Sequence, residues 1–305
     1  MQKAIDPDVH QRRTRLKAIA LVILAVTCFA CLDGTAKYLV SVAELPVTQT
    51  VWLRFVSQVL IVVLAVGFVA FPRMARTQRL PQQLVRSFMM LAATAFNMVA
   101  LRYLRLDQTT TILFLSPLTV ALLAGPLLGE WVGWRRLIAI MVGFTGIVVA
   151  IRPGFAEFHP AFILSLGCML SYSMLILLTR YLAAHDSSET TLFYSMIVGS
   201  LVTLPWALMD WVWPEGLVVW FVILSMGIFA ALGHYIFIVA HRIAPTSALA
   251  PFLYVQLLSV TAFGYLVFGD IPDQWTIAGS VIIVASGIYL VHREHSSGGP
   301  KKAGE

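Results

Sequence analysis

Residues 128–147 read LGEWVGWRRLIAIMVGFTGI, and residues 268–288 read FGDIPDQWTIAGSVIIVASGI. Each stretch carries an apolar residue, a glycine and an acid, then a tryptophan, then an apolar run closed by a glycine. The pairs Gly129-Glu130 and Gly269-Asp270 are 140 residues apart, while Trp134/Trp275 and Gly146/Gly287 are 141 apart. One inserted residue aligns both, and Arg152 and Arg293 end the two copies at the same offset of 141. The chain therefore contains one unit twice. Hydropathy divides each unit into five apolar segments. An odd number of spans makes the second unit enter the membrane from the opposite face, so the expected architecture is two inverted repeats.

The composition requires a membrane. Of 305 residues, 59% are hydrophobic and 12% charged, where a soluble domain carries about 25% charged. The mean hydropathy is +0.84. A soluble enzyme, a secreted disulfide scaffold and a nucleic-acid-binding domain are excluded. The expected spans cover about 17–41, 47–71, 84–105, 107–129, 133–151, 159–182, 189–209, 217–241, 244–269 and 275–292, each close to the 20 or so residues that cross a bilayer. None shows the period-2 alternation of a barrel strand, so the expected fold class is an all-α integral membrane bundle of ten helices. Cys28 and Cys31 form a C-x-x-C spacing, but inside an apolar helix a thiolate is unfavourable and the pair reads as packing.

The basic residues give the orientation. With the N-terminus in the cytoplasm, 16 of the 21 Lys and Arg lie in inside segments, 3 in outside loops and 2 within spans. Excess Lys and Arg mark the cytoplasmic face, so both termini are expected inside. Arg102 and Arg105 run against the rule and sit at a helix C-terminus, where a cation meets the negative dipole end. Residues 1–16 and 295–305 are polar and read as disordered tails.

The first copy carries, in order, the short stretches Ala100-Leu101-Arg102-Tyr103-Leu104, Phe114-Leu115-Ser116-Pro117-Leu118, Leu127-Leu128-Gly129-Glu130 and Gly143-Phe144-Thr145-Gly146-Ile147-Val148. The second copy carries Ala244-Pro245-Thr246-Ser247-Ala248, Phe268-Gly269-Asp270 and Gly279. Over about 17–293 the chain resembles the EamA-type drug/metabolite transporter superfamily, in its ten-helix, two-repeat form. The first half is most similar to bacterial members that include riboflavin and S-adenosylmethionine carriers. The resemblance implies a cytoplasmic tail over 1–16, repeats over 17–154 and 155–294, and a tail over 295–305. It also implies a multi-pass protein of the bacterial inner membrane that carries a small organic metabolite. The family does not name the cargo.

Charges within spans are costly and mark function by default. Asp33 and Lys37 lie four residues apart on the first span and Arg54 lies on the second. At 1.5 Å per residue they sit about 12, 6 and 10 Å from the outer helix ends, at similar depth. Two readings stand. One is a neutralised Asp33–Lys37 pair with Arg54 reaching to the interface. The other is a substrate-facing or gating cluster of net charge +1, favouring a carboxylate, a phosphate or another electron-rich ligand. Asp33 is the candidate for proton coupling. A second tier comprises Asn97, Ser171, Tyr172, His234, Tyr235, Tyr254 and Gln256, for which interhelical hydrogen bonding is the alternative. Trp52 and Tyr103 offer rings to stack on a planar ligand.

No H-E-x-x-H, G-x-S-x-G, P-loop or Cys/His metal spacing is present, so neither a catalytic, metal or cofactor site nor an ATP-driven pump is expected. The expected function is a secondary active or facilitative carrier working by alternating access between the inverted halves. Its partners are a small molecule and the lipid bilayer. The rivals are a membrane-embedded lipid or isoprenoid transferase and a non-transporting scaffold.

Overall fold

The computed structural model describes residues 7–116, 118–120, 122–123, 134–151, 159–243, 249, 252–253 and 255–297. Every regular element among them is helical. The helices are α1 (Pro7–Ser41), α2 (Val47–Val66), α3 (Leu80–Leu101), α4 (Leu106–Leu113), α5 (Trp134–Ile151), α6 (Ala161–Leu182), α7 (Ser188–Met209), α8 (Leu217–Ile243), α9 (Val255–Phe263) and α10 (Gln274–Ser297). A short helical turn, Phe71–Met74, lies between α2 and α3, and a π-helical turn, Gly264–Phe268, extends α9. Among the described residues six helices are long and apolar enough to cross a membrane: α1 to α3 and α6 to α8. Their outward faces are apolar: Leu217 is 89% exposed and Phe221 72%. Such a surface is stable against lipid and not against water.

Several boundaries differ from expectation. α1 begins at Pro7, so residues 7–16 are helical; Pro suits the first helical position and an existing helix propagates easily. α10 runs on to Ser297 for the same reason. α2 ends at Val66 and not at 71, because Gly67 takes φ +73°, a conformation that breaks the helix and suits glycine. α3 starts at Leu80, with Pro81 in its first turn. In the fourth expected span, Leu106–Leu113 is helical and the remainder lies largely outside the described residues. So do the Gly125/Gly129 packing motif, Pro117, Trp131, Arg152, Ala244–Ala248, Pro251 and Tyr254.

The packing repeats as the sequence does. α1 packs along α8, and α6 packs along α3. α2 packs on α8, and α7 on α3; α1 meets α9, and α6 meets α4. Adding five to each label, cyclically, turns one member of each couple into the other. α2 with α7 and α5 with α10 are their own counterparts. Ala18, Val22, Ala25 and Phe29 give α1 one buried stripe at helical spacing, set against Met226, Ala230 and Phe237 of α8.

α5 and α10 touch through backbone. A Cβ on Gly279 would sit 2.5 Å from the Gly146 carbonyl oxygen and 2.6 Å from Ala150 Cβ. Neither neighbour is a flexible side-chain end. Gly279→Val is therefore expected to destabilise the protein by about 3 kcal/mol. Thermal unfolding in detergent checks this; a melting temperature equal to that of the unmutated protein would show that the two helices do not depend on this contact.

Outside the spans, Asp273 caps α10. Its Oδ1 accepts from the N–H groups of Trp275 (2.8 Å) and Thr276 (2.7 Å), and its Oδ2 from the Thr276 hydroxyl (3.2 Å). Partial burial pushes the carboxyl up, but these bonds outweigh it and hold the group below the usual aspartate range. The cap is thus formed at neutral pH and is lost only as pH falls through that lowered value.

Candidate functional site: a polar cavity between the halves

α1, α2 and α3 of the first half meet α6, α8 and α9 of the second around one cavity. Both halves contribute polar side chains to its wall: Asp33, Arg54, Thr94 and Asn97 from the first, Tyr172, His234 and Gln256 from the second. Phe29, Met90 and Cys168 supply apolar surface between them. The cavity has a volume of about 80 Å³. That accommodates a few waters and falls well short of the roughly 300–1,000 Å³ of a metabolite site.

The polar groups are paired across helices. Asn97 Nδ2 donates to Asp33 Oδ1 at 2.8 Å. Arg54 Nη2 lies 2.8 Å from His234 Nε2. A guanidinium only donates, so Nε2 accepts, and the ring is the neutral Nδ1–H form. The Phe29 ring lies 4.8 Å from the imidazole and holds it in place. Arg54 is 4% exposed, yet its Nη1 has no hydrogen-bond partner. An unmade bond on a buried charged donor costs about 1–3 kcal/mol or more. That cost is removed when an acceptor enters the cavity.

On both sides of the cavity, contacts join the halves. At the end where α1 finishes, Lys37 Nζ pairs with Asp270 Oδ2 at 2.7 Å and lies 4.7 Å from the Phe268 ring. Nearby, Gln49 exchanges two bonds with the Val212 backbone, of 2.7 and 3.0 Å. At the opposite end, where α3 begins, Thr77 Oγ1 (2.5 Å) and Gln83 Nε2 (2.8 Å) donate to Asp186 Oδ2. Arg86 Nε donates to Thr179 Oγ1 at 2.8 Å, and its Nη1 donates to Ser195 Oγ.

The expected residues thus divide. Asp33, Arg54, Asn97, Tyr172, His234 and Gln256 line the cavity. Lys37 does not pair with Asp33, four residues away; it pairs with Asp270, which the loop after the π-helical turn brings alongside. Trp52 meets Trp211 edge-on at 5.6 Å. Tyr103 is 57% exposed and stacks on His159 at 5.0 Å, because α3 ends two residues before it. Tyr235 points away from the cavity, its hydroxyl 3.4 Å from Glu189 Oε1. Ser171 lies on the α6 face away from the buried stripe of Cys168 and Met169. By its position in the sequence Arg86 counts among the 16 cytoplasmic Lys and Arg residues. In the structure it is 3% exposed and bonded to α6 and α7.

Residues 16–152 and 159–292 each match the EamA-like transporter family. The chain belongs to this family. Among its EamA-like relatives is the riboflavin transporter of Vibrio cholerae, 27% identical over 280 residues, which span 92% of this chain and 94% of the relative. The S-adenosylmethionine uptake transporter of Rickettsia felis is 27% identical over 284 residues, 92% of this chain and 95% of the relative. A solved crystal structure shares the fold, with a TM-score of 0.61 and 16% identity over 94% of this chain and 99% of that one. The EamA-like chain described here is a multi-pass protein of the bacterial inner membrane and a transporter of small metabolites.

Proposed function

We propose that the chain is a secondary carrier that moves a small organic metabolite by alternating access, its inverted five-span halves rocking about the polar cavity. In this reading there are ten spans, both termini are cytoplasmic, and the repeats run over 17–154 and 155–294. The observation that carries it is the unpartnered, buried Arg54 Nη1 on the cavity wall. A donor held in that state binds an electron-rich acceptor: a carboxylate, a phosphate or a ring carbonyl. The aromatic neighbours Phe29, Tyr172 and His234 suit a planar ring beside that acceptor. Relatives named for riboflavin and S-adenosylmethionine fit this chemistry, since both molecules join a nitrogen heterocycle to a polar tail. The cavity expands to admit such a ligand as the halves rock.

A thermal-shift screen on purified protein tests the substrate class, because a ligand of the folded state raises apparent stability by mass action. Heterocycles bearing a carboxylate, phosphate or ring carbonyl are expected to raise the melting temperature; stabilisation by cationic compounds alone would reject the reading. Asp33 carries the proposed proton coupling. Asp33→Asn is expected to abolish uptake driven by an imposed pH gradient in proteoliposomes while leaving exchange of internal for external substrate in place. Retained pH-driven uptake would remove Asp33 from that role.

A further inference from the structure

Gly227 of α8 lies against the Ser57 backbone of α2, where a Cβ would approach to 2.7 Å. Beyond this contact, towards the proposed cytoplasmic side, the two helices part. They leave a groove of about 970 Å³, walled by Ile61, Val62 and Ala65 of α2 and Ile228, Leu232 and Tyr235 of α8. Ala65 and Leu232 are exposed, so the groove opens sideways. Its mouth has different chemistry. Arg73 and Arg76 stand on it, exposed, in neither of the ion pairs found among the described residues. Asp186 and Glu189 line the same mouth.

A free anionic metabolite would satisfy the arginines and leave the apolar walls unfilled. An apolar molecule would fill the walls and leave the arginines unmatched. A phospholipid matches both parts. With Asp186 already bonded to Thr77 and Gln83, the mouth offers two exposed guanidiniums and the Glu189 carboxylate, both signs of charge, which favours a zwitterionic headgroup over an anionic one. We propose that this groove holds one phosphatidylethanolamine, its phosphate on Arg73 and Arg76, its ammonium beside Glu189 and one acyl chain between α2 and α8.

The test uses the full chain, released from nanodiscs of equimolar phosphatidylethanolamine and phosphatidylglycerol, with retained lipid counted by native mass spectrometry. One retained phosphatidylethanolamine per protein is expected. Removing Arg73 and Arg76 as alanines should lower retention by about fivefold per arginine. Ala65→Trp, which faces lipid and fills the groove without touching the core, should displace the lipid. Glu189→Gln should remove the preference over phosphatidylglycerol. Unchanged retention in both the arginine variant and Ala65→Trp overturns the site. Preferential retention of phosphatidylglycerol by the unmutated protein overturns the headgroup assignment.

Discussion

Arg54→Ala is expected to abolish transport while the protein still inserts and remains helical. The side chain provides two things to the cavity: a bond to His234 at 2.8 Å and an unpartnered Nη1. Truncating one member of a buried, charge-assisted contact with a ligand costs about 3 kcal/mol, roughly a hundredfold in affinity. Folding does not lose as much, because removing a cation from a low-dielectric site also removes its desolvation cost. Arg54→Lys separates charge from shape. An ammonium keeps the positive charge but has no planar fork with which to hold His234 and a ligand together, so binding is expected to fall about tenfold. Uptake into proteoliposomes, with thermal shift as the binding readout, distinguishes the three proteins. Unmutated rates in Arg54→Ala would detach the cavity from transport altogether.

The second large effect concerns the contact at the Lys37 end. If the halves rock, the Lys37–Asp270 contact must break in every cycle. A chain with Lys37→Cys and Asp270→Cys, bridged by a short reducible thiol cross-linker, is then expected to stop transporting and to resume after reduction. A direct disulfide is less suitable, since it needs Cα atoms within about 7 Å and this contact is made at the far end of a long lysine side chain. Cys28, Cys31 and Cys168 are free thiols and are replaced first, so that only the engineered pair reacts. Full transport by the cross-linked protein would falsify alternating access through this end. The single-cysteine proteins, treated with the same reagent, control for modification alone.

The fold was readable because its signals are long. Ten apolar runs and a repeat at an offset of 140–141 are properties of whole segments, and the interhelical pairings follow the same two-fold pattern. Asp33 and Arg54 were readable because a charge in an apolar run stands out against its own neighbours. The partner of Lys37 was not. Helical spacing offered Asp33, but Asn97 occupies that carboxylate, and Asp270 arrives from 233 residues away in a loop whose path depends on the π-helical turn at 264–268. Arg86 was missed through an error in the helix start. Pro81 is a first-turn residue, so α3 begins at Leu80 and Arg86 lies more than a turn inside. There Gln83, Arg86, Ser87 and Met90 form one buried face. Tyr103 was misjudged at the other end of the same helix, which stops at Leu101 and leaves the ring in the turn.

The pairing of α1 with α8 and of α6 with α3 has a consequence for the halves as separate objects. Each half's first helix finds its main partner in the other half. Neither half alone can cover those apolar stripes or satisfy Arg54 and Arg86, whose hydrogen-bond partners His234, Thr179 and Ser195 lie in the other half. The unit that can fold is therefore the interleaved pair, whether or not a peptide bond joins its members.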